Sequence, residues 1–374
     1  MTDFEKSLSF EQLYRAAIEC ARNVRWKESV QDYLRNILSR TSRLRQDLLS
    51  GEYSIMPYIR FMVYEPKKRE IVSTRFRDRV FQRSICNNGV YRDITRGFIH
   101  DNCACLVGRG VDYAIHRLDC HMRRFYRKHG VNGWVLKIDL SKFFPSIPHS
   151  VAKAAMKKRI RDENFLKYIC DIIDSFPDNR SPEEIAADPF GKRSVALGSQ
   201  ISQLIALAVL DDLDHYIKER LKIKYYVRYM DDFILIHEDK EVLRNALLTI
   251  TEMVTKLGLR LNAKTCISPL RQGVVFLKYR RFFNKTGKLI VKVNHKSISK
   301  ERRKLRTLKG MVDKGKMNLN DICLHFQSWS AHAARANSRG LIRQMKNYVR
   351  QIFGGHNESH YQKRERTDRA QGTD

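Results

Sequence analysis

The sequence predicts an α+β fold of antiparallel strands packed against helices. Three observations carry that expectation. Apolar runs at 225–227 and 233–236 flank Tyr229-Met230-Asp231-Asp232 and read as a buried strand–turn–strand hairpin. A second apolar run, 134–140, reads as a strand that ends in an acid, Asp139. Around them, apolar residues recur at helical spacing, as in Ile201, Leu204, Ile205, Ala208, Val209, Leu213, Tyr216 and Ile217.

In chain order, residues 1–50 read as helical. Leu8, Phe10, Leu13, Tyr14, Ala17 and Cys20 line one face, and Tyr33, Ile37, Leu38, Leu44 and Leu48 continue it. From Gly51 the pattern alternates. Residues 53–56 and 59–64 read as strands, 65–70 as a charged turn, and 71–73 as a return strand. Helices are expected at 80–90 and 111–129, the second carrying Arg117, Arg123, Arg124, Arg127 and Lys128. After Asp139 comes a compact turn, and His149 or Ser150 would cap a helix running to about residue 159. Gly198-Ser199-Gln200 opens the next helix, where short side chains let a ligand approach closely or simply cap the helix. Beyond the Asp-Asp hairpin, a helix at 240–257 ends at Gly258, a suitable C-terminal cap. Residues 259–265 read as extended, and 274–280 and 289–293 as strands. From about 295 the chain reads as helical and strongly basic, and residues 354–374 as a polar, disordered tail.

Composition narrows the function classes. The 374 residues are 43 % hydrophobic and carry a formal charge of +30, which points to a polyanionic partner, with nucleic acid first. No apolar run approaches the ~20 residues of a membrane span, and the first residues lack the pattern of a secretory leader. The eight cysteines are scattered, with only Cys103 and Cys105 close together, so reduced thiols in a cytoplasmic setting are expected and structural zinc is not.

The acids carry the chemistry. Asp231 and Asp232 at a turn repel each other, an arrangement relieved by a cation between them. Magnesium suits it, since it takes hard oxygen ligands and shares them with phosphates. A bare Asp-Asp pair also fits a solvated turn, and Asp139 also fits an acid capping its own turn. Order and spacing weigh for the site. One acid ends a strand at 139, a pair sits on a hairpin at 231–232, and a Gly/Ser/Gln helix start lies between.

In that combination the chain resembles the right-hand polymerases, and among them the reverse transcriptases. Tyr229-Met230-Asp231-Asp232 is that family's signature. Residues 197–203 are similar to its second palm motif, 259–262 with Lys264 to the next, and Phe276-Leu277-Lys278 to its primer-grip turn. The resemblance spans roughly residues 50–285. It implies fingers (51–130), palm (131–285) and a helical thumb (286–353) behind an N-terminal helical extension (1–50), the palm being an antiparallel sheet backed by helices. It also implies two Mg²⁺ ions held by Asp139, Asp231, Asp232 and the backbone of Leu140. Lys67, Lys68, Arg69 and Arg75 would hold a triphosphate, and Lys264 the pyrophosphate. Leu197, Gly198 and Gln203 would line the nucleotide site. Phe144, five positions after Asp139, stands where these enzymes place an aromatic gate against a 2′-hydroxyl. Leu197 and Ser202-Gln203 depart from the usual Gln and Ser-Pro of the second motif. That departure resembles reverse transcriptases of diversity-generating retroelements and related bacterial enzymes, including antiphage defence types, and implies low fidelity. Expected partners are an RNA template, a DNA or RNA primer and dNTPs, with a dedicated noncoding RNA or a small basic accessory protein as further candidates. A catalytically inactive RNA-binding protein on the same fold is the alternative, and intact acids count against it.

Overall fold

The structure, a computed structural model, describes residues 1–64, 69–196 and 198–354. The chain forms two compact units, Met1–His129 with Gly133–Ser268, and Gly130–Asn132 with the chain from Pro269 onward.

The first unit opens with helices α1 (Asp3–Ser7), α2 (Phe10–Ala21), α3 (Glu28–Arg35) and α4 (Ile37–Ser50). Ser9 caps α2 by accepting from Gln12 N–H, and the buried stripe Leu13, Ala16, Ala17 and Cys20 seats it in the core. Strands β1 (Ile59–Val63) and β2 (Arg69–Ser73) form an antiparallel pair. Residues 53–56, expected as a strand, form none. Asp78 instead satisfies that segment, accepting the Tyr53 hydroxyl at 3.1 Å and the Met56 N–H at 2.9 Å, so its backbone needs no ladder. Helix α5 (Phe76–Ile85) starts earlier than periodicity suggested. A π-helical turn follows at Cys86–Val90, where Gly89 packs against Phe165, and α6 (Tyr91–Thr95) comes next. Helix α7 (Val111–His129) matches its expected span.

The sheet that positions the acids has the order β4-β5-β3-β6, from β3 (Trp134–Asp139), β4 (Tyr225–Tyr229), β5 (Asp232–His237) and β6 (Cys266–Pro269). Its Leu136, Ile138, Tyr226, Phe233 and Leu235 face the main core, together with Ile201, Leu204 and Ile205. Those last three belong to α12 (Gln200–Val209), which follows α8 (Phe143–Ser146), α9 (His149–Lys157), α10 (Glu163–Ser175) and α11 (Pro182–Ala187). The compact turn after Asp139 thus contains a short helix. Pro148, not His149 or Ser150, occupies the cap position of α9, and His149 Nε2 pairs with the Ser194 carbonyl at 3.0 Å. The long helix expected after Ser199 is broken. Helix α13 (Asp211–His215) and a π-helical turn, Tyr216–Arg220, carry the chain to β4. Helix α14 (Lys240–Lys256) then leads to Gly258, whose φ of +70° is the left-handed conformation that ends a helix.

In the second unit, β7 (Val274–Phe276), β8 (Tyr279–Phe283) and β9 (Leu289–Val293) form a three-stranded antiparallel sheet. The single strand expected at 274–280 is therefore a hairpin turning at Leu277 and Lys278. Helices α15 (His295–Asp313), α16 (Leu319–Ala334) and α17 (Arg339–Phe353) complete the unit. All eight cysteines are free thiols. Among the described residues, no helix is long and apolar enough to cross a membrane. The expected tail beyond residue 354 lies outside the described residues.

Candidate active site

Asp139 and Asp232 meet by register. Antiparallel pairing of β3 with β5 sets Asp139 directly opposite Asp232, so both carboxylates leave the sheet on one face. Pairing of β4 with β5 joins Tyr229 to Asp232, leaving Met230 and Asp231 as a two-residue turn. Met230 holds φ = 54°, a left-handed conformation that costs a residue with a Cβ about 1–2 kcal/mol. The turn is stitched to β3: Leu140 N–H donates to the Asp231 carbonyl at 3.3 Å. Asp139 is fixed from the other side, its carbonyl accepting Asn262 N–H at 2.7 Å.

The three acids occupy different surroundings. Asp139, Leu140 and Asp231 line one cavity of about 570 Å³, together with Glu70, Val72, Lys142, Phe144, Asn179, Ala196, Asn262 and Lys264. Asp232 sits behind, its Oδ1 3.4 Å from the Lys137 ammonium. Burial pushes the Asp232 carboxyl up to about 6; Lys137 opposes the rise, and the Asp139 and Asp231 charges add to it.

Of the residues expected at a nucleotide site, Phe144 and Lys264 line this cavity with the acids. The Phe144 ring is half-buried, on α8 beside the buried Phe143. Among the described residues, Arg75, Gly198 and Gln203 do not line it. Arg75 is exposed before α5 and donates to the Pro57 carbonyl at 3.1 Å. Gly198 has φ = 107° and is exposed, while Ser199 caps α12 through Ser202 N–H. Arg69 opens β2 opposite Val63. Lys67, Lys68 and Leu197 lie outside the described residues. Phe276, Leu277 and Lys278 belong to the second unit, at the β7–β8 turn.

Sequence reading missed the polar floor of the hairpin. Arg228, fully buried, forms an ion pair with Asp214 of α13, Nε to Oδ1 at 2.7 Å and Nη2 to Oδ2 at 2.5 Å. Burial works against the guanidinium charge, but Asp214 outweighs it and holds Arg228 charged. Tyr226 donates its hydroxyl to the same carboxylate at 2.5 Å. Asn262 and Glu70 were also missed as cavity residues. Asn262 stood inside a recognised motif, whereas an acid on a basic hairpin carried no signal.

The donor set fits magnesium. Asp139 and Asp231 present hard oxygens to a cavity that two lysines and two asparagines also line. Among the described residues, no three His, Cys, Asp or Glu groups form a ready-made metal cage. Magnesium does not require one, because it keeps several waters and takes one or two carboxylates plus substrate phosphates.

A family described as reverse transcriptase (RNA-dependent DNA polymerase) matches residues 68–279. Protein YkfC of Escherichia coli (strain K12) is 25 % identical over 282 residues, covering 63 % of this chain and 70 % of that protein. The structure of telomerase from Candida albicans, in complex with the TWJ fragment of telomeric RNA, aligns with a TM-score of 0.42 and 12 % identity, covering 71 % of this chain. The alignment takes in 54 % of the telomerase chain, about half its length. The family match covers more than half of this sequence, with the acid hairpin inside it: the chain belongs to the reverse transcriptase (RNA-dependent DNA polymerase) family.

Proposed function

We propose that the protein is an RNA-directed DNA polymerase that adds dNTPs to a primer on an RNA template. The observation that carries this reading is the single cavity shared by Asp139, Asp231, Phe144 and Lys264. Asp139 and Asp231, with the Leu140 backbone, would hold a pair of Mg²⁺ ions. Such a pair, when bound, stabilises the attacking 3′ oxygen and the leaving pyrophosphate of an in-line displacement. Asp232, tied to Lys137, adds negative field behind them. Lys264 would neutralise pyrophosphate, and Lys67, Lys68, Arg69 and Arg75 would supply cationic charge to the triphosphate. Phe144 places a ring against the sugar, so a 2′-hydroxyl has no room. The Leu197 side chain is apolar and has no hydrogen-bonding group, which supports low fidelity. The turn at Phe276-Leu277-Lys278 would steady the primer, and the basic helices after residue 295 the duplex backbone. The departures at Leu197 and Ser202-Gln203 support a setting in a bacterial retroelement or antiphage defence system, in the cytoplasm.

The test is DNA synthesis by purified protein on a primed RNA with Mg²⁺ and labelled dNTPs. Synthesis is expected from the parent and is lost in Asp231→Ala. Synthesis that survives in that variant would sink the site assignment. Phe144→Ala should raise ribonucleotide incorporation by about 10-fold or more relative to dNTP, as expected for a steric rejection worth more than 1.4 kcal/mol. Unchanged sugar selection would remove Phe144 from the gate.

A further inference from the structure

Asp231 sits at the tip of a two-residue turn on β4, the edge strand of its sheet. Such a tip is free to rock unless its peptides are tied, and a carboxylate that rocks holds a metal poorly. Both peptides flanking the Asp231 Cα are tied here. The carbonyl leaving Asp231 accepts Leu140 N–H at 3.3 Å, next to Asp139. The carbonyl entering it, that of Met230, accepts Arg228 Nη1 at 3.1 Å.

Arg228 is equipped to hold that carbonyl still. Its other guanidinium nitrogens are engaged by Asp214, and Nη2 also donates to the Leu207 carbonyl at 3.3 Å. Its backbone is pinned as well, N–H to the Asp101 carbonyl and C=O from Cys103 N–H, each at 2.9 Å. A buried ion pair contributes little net stability, and well-packed apolar residues often replace one without loss. Packing alone therefore does not explain a guanidinium here. The bond to the Met230 carbonyl does, because an apolar side chain has no donor.

We propose that Arg228, braced by Asp214, is a positioning residue that orients the Asp231 carboxylate by fixing the 230–231 peptide. The inference rests on the polymerase reading of the same site. Two variants of the full chain test it. Arg228→Met with Asp214→Asn removes both charges together, and Asn still accepts the Tyr226 hydroxyl. Arg228→Lys keeps the charge but lacks the planar fork needed to serve Asp214 and Met230 at once.

Each variant is melted, titrated with Mn²⁺ by electron paramagnetic resonance, and assayed on primed RNA. The double variant is expected to melt close to the parent but to bind Mn²⁺ about 10-fold more weakly, as loss of an outer support typically does. Its kcat should fall on the order of 10²-fold with KM for dNTP unchanged, the effect of a misplaced reacting group. Arg228→Lys should share the defect. A folded double variant with parental Mn²⁺ affinity and kcat would overturn the proposal, leaving Arg228 a packing residue. If the parent binds Mn²⁺ but makes no DNA, the polymerase reading fails alone, and weaker Mn²⁺ binding in the variants still supports the positioning role.

Discussion

At Asp232, burial and two neighbouring carboxylates hold an acid at a disadvantage, with its pKa near 6 rather than 3.8. The folded protein therefore binds this proton more tightly than the unfolded chain does. That contribution to stability is complete below pH 3.8 and is lost as pH rises through about 6. The loss is on the order of 3 kcal/mol, softened by the group's partial exposure. In metal-free protein, Asp232→Asn should raise the melting temperature at pH 7.5 and leave it nearly unchanged at pH 4. Equal gains at both would show that charge is not the cause. The acids were legible in the sequence because each ends or turns an apolar run. Phe144 was legible because a fixed offset from Asp139 carries it into the cavity. Arg228 was not. Its burial depends on Asp214, 14 residues earlier and on another element, and no local spacing announces such a pair.

Elements tell a similar story at the β7–β8 turn. Phe276 pairs with Tyr279, so Leu277 and Lys278 alone make the turn, with φ of 48° and 73°. Two left-handed residues in a two-residue hairpin favour Asn-Gly, and neither Leu nor Lys suits the conformation. Leu277→Asn with Lys278→Gly should therefore stabilise the protein by ~1–2 kcal/mol, read as a higher denaturation midpoint. If those side chains grip a primer, extension should weaken in the same variant. A more stable variant with full extension would separate the turn from the function. Strands and helices with strong periodicity were legible, among them α7 and the β4–β5 hairpin. The segment at 53–56 alternates like a strand yet spends its polar groups on Asp78, a long-range partner. The helix expected after Ser199 breaks at Leu210, and α13 beyond the break carries Asp214, the partner of Arg228.

At the scale of the molecule, the formal charge of +30 is the property composition shows most directly, and it says nothing of where the charge acts. Helix α15 gives it a place. Leu305 and Leu308 are buried, and Lys296, Arg302, Arg303 and Arg306 are exposed. Spacing sorts the helix into an apolar stripe and a cationic surface, as expected for backbone contact with a duplex. Each phosphate so neutralised releases counterion, which makes binding fall with salt by a slope of ~0.7–0.9 per contact on logarithmic axes. Replacing Lys296, Arg303 and Arg306 with Ala should flatten that slope by about 2 to 3 and weaken all template sequences alike. Filter binding of a primed RNA across a salt series measures it. An unchanged slope would mean that these cations do not touch phosphate. A loss confined to one sequence would mean that α15 reads bases. A uniform loss, with kcat preserved once nucleic acid is saturating, is what a backbone-holding helix apart from the chemistry must give.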